Sequence, residues 1–170
     1  NATGRNISLI GGVDYGLTQV NHAYQSPRSP GSTITHILAF APALEEGIIT
    51  PASMIFESSA KVPSWENGKL GIHEITNSGN VIPNKWTDVR SGLSNSSNIV
   101  TTKIYQQMKD TYHMADKLES YMHKMGFGSD VITTEEYQGV YYSLPIGGIT
   151  KGTTVLDQTD GFSTLANKGN

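Results

Sequence analysis

Cysteine is absent from all 170 residues, which excludes disulfides, thiolate catalysis and zinc sites built on cysteine. That absence does not select a compartment. No run approaches the ~18 consecutive apolar residues of a membrane helix, so no span is expected in this chain. Asn1 has neither an initiator nor a leader ahead of it, and the expectation is a chain that starts inside something larger or has been processed. Charge is scarce as well: charged residues are 16% of the total and the net charge is −3. Six basic and seven acidic side chains fall in the first hundred residues and six and eight in the rest, so neither half is polarised. A nucleic-acid surface is not expected. His22, His73, His113 and His123 are scattered without the spacing of metal ligands, and no metal site is expected.

What is present is glycine, 18 residues of it, and enough apolar sequence for one domain with a core. The chain is organised around residues 27–51, PRSPGSTITHILAFAPALEEGIITP. Pro27, Pro30 and Gly31 stiffen the approach to Ser32, after which Ile34, Ile37, Leu38, Ala41 and Leu44 recur at steps of three and four. That spacing predicts a helix buried all round, because Ala39, Phe40 and Ala43 make its other side apolar, with Gly47 as its C′ residue. A strand also fits, since Ile34, His36, Leu38 and Phe40 alternate and Pro42 is costly inside a helix. If the segment is helical, Ser32 sits where free backbone N–H groups and the positive end of the dipole converge.

Arg5 to Ile10 reads as a short strand stopped by Gly11-Gly12. A short strand is expected within Ala52 to Glu57, and a hairpin over Lys69 to Pro83 turning at Asn77-Ser78-Gly79-Asn80. Asn84 to Asn95 is polar and carries Trp86. Ser96-Ser97-Asn98 leads into the longest helical pattern, in which Val100, Ile104 and Met108 share a face that Ala115, Leu118, Met122 and Met125 continue past a break at Asp110-Thr111. Lys109, Asp116, Lys117, Ser120 and Lys124 fall on the opposite, solvated face, and Gly126 ends the run. Ser129 to Leu144 is rich in strand formers around Gly139. Thr154 and Asp157 make a capping box for a last helix through Phe162, Leu165 and Ala166, closed by Gly169.

Taken in order, these segments resemble the transpeptidase domain of class A penicillin-binding proteins over nearly the whole chain. ISLIGGVDY is similar to the strand that opens that domain, RSPGST to the approach to its nucleophile, and APALEEGIITP to the rest of the nucleophile helix. Ser96-Ser97-Asn98, 64 residues after Ser32, matches the family's Ser-x-Asn motif. GFG at Gly126 to Gly128 and GITKGTTVLDQTDGFSTLANKG resemble its later helices. The implied fold is of the α+β type related to serine β-lactamases, a five-stranded antiparallel sheet between helical layers. By the same resemblance Ser32 is the nucleophile, Ser96 relays a proton toward the leaving group and Asn98 orients base and substrate amide. Ser97 and Trp86 are candidate binding residues.

Two departures matter. Ser32-Thr33-Ile34-Thr35 places Thr35 where the family has a lysine, and a threonine hydroxyl is neither base nor cation near neutral pH. Losing a positioned base typically lowers a rate by about 10²–10⁴, so slow acylation or none is expected. His36, on the face of Ser32 if the segment is helical, is a candidate substitute base. Second, Lys151-Gly152-Thr153 is not the family's Lys-Thr-Gly, which would fall beyond Asn170. Residues 1–170 are therefore expected to be the N-terminal part of one transpeptidase domain that needs a further segment to complete its sheet and does not fold stably alone.

The resemblance implies no cofactor. It implies peptidoglycan stem peptides and β-lactams as ligands, a location on the extracellular face of the bacterial cytoplasmic membrane, and an anchor and glycosyltransferase domain outside this chain. Thr35 favours an alternative, a transpeptidase-like scaffold without catalysis. A third reading is a surface assembly subunit that pairs through Arg5 to Ile10. Gly147 to Thr153 has P-loop spacing with Thr153 in place of lysine, and Asp157 to Gly161 imitates half a calcium loop without its closing glutamate, so neither a nucleotide nor calcium is expected. Trp65, Trp86, Tyr141 and Tyr142 either line a groove or close over the core.

Overall fold

The structure, a computed structural model, describes residues 6–14 and 16–169. The serine segment is helical. A 3₁₀ turn, Gly31–Thr33, runs into a π-helical turn, His36–Phe40, and then into α1, Ala41–Glu45. Pro42 explains the π turn: it has no N–H to give the carbonyl four residues back, and the frame widens so that the Ala41 N–H reaches His36. Gly47, at φ 66°, ends the helix as its C′ residue. Ile34, Ile37, Leu38, Ala39 and Ala43 are fully buried. The expected burial all round is corrected at Leu44, which is exposed; burial of each large side chain contributes roughly 1.5–3 kcal/mol, which favours the conformation that hides most of them.

Among the described residues the strands form two small antiparallel sheets. Strand β1, Met54–Phe56, pairs with β4, Trp86–Asp88, in the register Ile55 to Thr87. Strands β2, Ala60–Glu66, and β3, Lys69–Ile75, form a hairpin. Its turn is Asn67-Gly68, both at positive φ, rather than Asn77 to Asn80. The expected hairpin over 69–83 is thereby corrected: Lys69 to Ile75 is its second strand, and Asn77 to Val81 closes only a local bridge around a 3₁₀ turn, Ser78–Asn80. The sequence from Asn6 to Ile10 forms no strand, and Ile7 and Ile10 are exposed, while Arg5 and Tyr15 lie outside the described residues.

Helix α2, Val89–Ser94, is capped by Asp88, whose carboxylate accepts from the Ser91 N–H. Gly92 lets it approach α3, Asn98–Gln106: a Cβ there would stand 2.6 Å from Val100. A π turn, Gln107–Thr111, follows, and the break before α4, Ala115–Lys124, falls at Tyr112 to Met114. Val100, Ile104, Met108, Leu118 and Met122 face the core, and Gly126, at φ 90°, ends α4. Lys109 does not share the solvated face. The π turn shifts the helical register, and Lys109 is buried between Tyr105 and Tyr142 with its ammonium on the Gly139 carbonyl.

Residues 129–144, rich in strand formers, contain a helix, α5, Thr134–Gln138. Thr133 and Glu136 form a reciprocal capping box that outweighs the strand formers around them. A 3₁₀ turn, Leu144–Ile146, leads on to α6, Val155–Ala166, which carries the predicted capping box of Thr154 and Asp157. Gly161 of α6 lies directly against Phe127 and Ile37, so α6 seats on the serine segment through a residue without a side chain.

Candidate functional site

Ser32 is exposed in the 3₁₀ turn, at the point where an irregular approach becomes a buried helix. Two glycines fix that turn. Gly31 takes φ 55°, and Gly147, at φ 101°, comes so near that a Cβ on it would stand 2.5 Å from the Gly31 Cα. The Ser29 hydroxyl donates to the Gly147 carbonyl at 2.7 Å, and Arg28 and Thr153 exchange both backbone hydrogen bonds. The loop after α5 is thus strapped to the serine turn from behind.

Thr35 and His36 point to different surroundings. Thr35 is buried, and its hydroxyl donates to the Pro145 carbonyl at 2.8 Å. The His36 ring packs against Phe162 of α6 with centroids 5.6 Å apart, and its Nδ1 is buried without a hydrogen-bond partner among the described residues. An unpaired buried nitrogen of this kind costs about 1–3 kcal/mol and is uncommon.

Ser96 and Ser97 lie in the turn between α2 and α3, Asn98 is the first residue of α3, and that helix packs on the serine segment. Ser96 is exposed and holds the left-handed conformation, φ 52°. Ser97 is the N-cap of α3, accepting from the Val100 N–H at 3.1 Å, and its buried hydroxyl faces Glu57. Asn98 donates from its side-chain amide to the Thr76 carbonyl at 3.1 Å. The Leu144–Ile146 turn contacts both the Ser32 turn and α3, which links the two motifs through one element.

Trp65, Tyr141 and Tyr142 line one cavity of about 440 Å³ between the β2–β3 hairpin and the loop after α5, together with His73 and Ser143. Trp86 is not among them. It stands exposed on β4, edge-on to Phe56 with centroids 5.4 Å apart. No cluster of potential metal ligands occurs among the described residues.

Glu57 is the residue that the sequence reading missed. It is 3% exposed, yet it accepts hydrogen bonds from Thr87, Ser97 and Asn77. Burial would raise its pKa, but those three donors, with Lys85 nearby, together hold the carboxyl below the ordinary glutamate range. Nothing in the local sequence marks it, because its partners come from three separate segments.

A helical serine segment beside small antiparallel sheets is mixed helix and antiparallel sheet content consistent with the penicillin-binding transpeptidase fold, with less sheet than the five strands expected of it. The sequence model of the penicillin binding protein transpeptidase domain matches residues 1–170, and the chain belongs to that family. It is 26% identical over 162 residues to penicillin-binding protein 1A of Vibrio cholerae, covering 95% of this chain and 18% of that protein. Penicillin-binding protein 4 of Bacillus subtilis is 28% identical over 174 residues, with 96% and 23% covered, and penicillin-binding protein 1A of Neisseria flavescens 29% over 168 residues, with 98% and 19%. The chain thus spans about a fifth of the length of these relatives. Among its described residues no helix is long and apolar enough to cross a membrane.

Proposed function

We propose that this chain carries the nucleophile and the second motif of a peptidoglycan D,D-transpeptidase, impaired at the base position. The exposed Ser32 at the head of a buried helical segment carries this reading. Its Oγ attacks the penultimate D-Ala carbonyl of a stem peptide, the C–N bond to the terminal D-Ala breaks, and an acyl-serine ester forms. An amine of a neighbouring stem then displaces the serine oxygen, forming the cross-link and returning the proton. A β-lactam opens its ring amide onto the same oxygen and stays attached. Ser96 passes a proton toward the leaving nitrogen, and Asn98 holds the substrate amide. Ser97 serves by fixing the turn that bears them, and Trp86 offers an exposed ring for the substrate.

Thr35 cannot take the serine proton, and its hydroxyl is already committed to Pro145. His36 is the substitute in this account, with its buried Nδ1, which has no hydrogen-bond partner among the described residues, in its favour. If His36→Ala left the rate of acylation unchanged, that role would be removed. We further propose that a segment beyond residues 1–170 supplies the third motif and the remaining strands, and that the working protein acts at the outer face of the cytoplasmic membrane. With the full-length protein and a peptide ending in D-Ala-D-Ala, slow D-Ala release is expected, abolished by Ser32→Ala and accelerated by Thr35→Lys. Release that survives Ser32→Ala would refute the assignment.

The engagement of Thr35 with Pro145 favours one second reading, a binding scaffold that holds stem peptides without turning them over. It predicts peptide binding with no D-Ala release from either protein.

A further inference from the structure

Ser96 is a non-glycine residue in the left-handed region, and a turn of that kind persists only when its surroundings hold it. The surroundings here are specific. Asn77 Oδ1 accepts from the Ile99 N–H at 3.1 Å and lies 3.1 Å from the Ser97 hydroxyl, while Asn77 Nδ2 donates to Glu57 Oε1 at 3.0 Å. Glu57 Oε1 also accepts from Ser97, and Oε2 accepts from Thr87. The backbone of Glu57 is itself fixed, its N–H on the Lys85 carbonyl and its carbonyl on the Asn84 N–H. On either side of it Lys103 of α3 ties the Phe56 carbonyl and the Ser58 hydroxyl to the helix. Three donors converge on one buried group, a geometry that suits a carboxylate, which offers about four acceptor sites and no hydrogen to clash.

We infer that Glu57 is a positioning residue: with Asn77 it grips Ser97 and Ile99 on the inner side of the turn, and so holds the exposed Ser96, and Asn98 with its amide on the Thr76 carbonyl, in the arrangement the acylation step uses. This inference rests on the transpeptidase reading of Ser96 and Asn98, but the grip itself is a separate matter of structure. Glu57→Ala removes the acceptor for Ser97 and Asn77. Glu57→Gln keeps one oxygen for them and turns its amide toward Thr87, whose hydroxyl can rotate to accept.

Hydrogen exchange on the full-length protein, followed in peptides spanning residues 95–102 and 103–111, tests the grip, and the rate of labelling by a fluorescent penicillin tests its consequence. Glu57→Ala is expected to speed exchange at Ile99 and Val100 by about tenfold or more, with 103–111 unchanged and labelling slowed in parallel. Glu57→Gln is expected to restore most of both, and if Glu57→Ala does not fold, Asn77→Ala, which removes the partner of Glu57 and Ile99, is read in its place with the same expected loosening. A uniform rise in exchange across both peptides, unchanged exchange at 95–102, or unaltered labelling by a protein whose turn has loosened would each overturn the inference. If the wild-type protein is not labelled at all, the transpeptidase reading fails, and the exchange comparison alone decides whether Glu57 holds the turn.

Discussion

The Thr35 hydroxyl donates to the Pro145 carbonyl across 2.8 Å, and both residues are buried where the serine segment meets the Leu144–Ile146 turn. The side chain that the resemblance places at the family's lysine position is therefore satisfied inside the protein. Thr35→Val should leave the Pro145 carbonyl without this donor and lower stability by about 1–3 kcal/mol, whereas Thr35→Ser should lose far less. Urea unfolding of the two variants checks this. Equal stability would mean that water replaces the threonine without loss.

Gly161 tests how α6 seats on the serine segment. Alanine is the better helix former by about 1 kcal/mol, but its Cβ would stand 2.6 Å from Phe127 and 2.8 Å from Ile37. Overpacking of a tight core costs about 1–3 kcal/mol, so the clash outweighs the propensity and Gly161→Ala should lower the melting temperature. A raised melting temperature would show that α6 is free to move away.

Gly147 tests the strap behind Ser32. Gly147→Ala combines a left-handed φ with a 2.5 Å approach to the Gly31 backbone, which cannot rotate aside as a side chain can. The strain should cost roughly 1–3 kcal/mol and shift the Ser32 turn, so that penicillin labelling slows more than in Gly161→Ala at matched stability. Equal labelling in the two variants would argue that the turn is set by its own sequence.

Glu57 and Glu136 predict acid sensitivity. Burial would raise both carboxyls, yet hydrogen bonds from Ser97, Thr87 and Asn77 to Glu57, and from Thr150 and Thr133 to Glu136, hold both low. A carboxyl whose folded pKa is depressed contributes its full stability above its unfolded value, about 4.3, and loses it as the pH falls through the lower folded value. Unfolding free energy should therefore decline below pH of about 4, less steeply in Glu57→Gln. A flat profile would contradict the hydrogen-bond pattern.

Much of the fold around Ser32 was legible because its signals are local. The step of three and four after Ser32, Gly47, the turn before α3, and the Thr154 to Asp157 box each depend on neighbours within a few residues. The same box at Thr133 and Glu136 went unread because Val131, Ile132, Tyr137 and Tyr141 favour a strand. Asn67-Gly68 is the stronger hairpin signal, and the polar run at 77–80 resembles a turn of the same kind without pairing two strands. Lys109 was misplaced because a helical wheel assumes a constant period, and the π turn breaks it. Glu57 and the Thr35 to Pro145 bond could not be read from sequence at all, since their partners lie 20 to 110 residues away.

The central claim is that Ser32 is an acylatable serine held back by Thr35. The most direct test is the intact mass of the full-length protein after incubation with excess penicillin, for the wild type, Thr35→Lys and Ser32→Ala. The account predicts an adduct of one drug mass that forms slowly on the wild type, rapidly on Thr35→Lys and never on Ser32→Ala. An adduct that persists on Ser32→Ala, or none on folded Thr35→Lys protein, would contradict it.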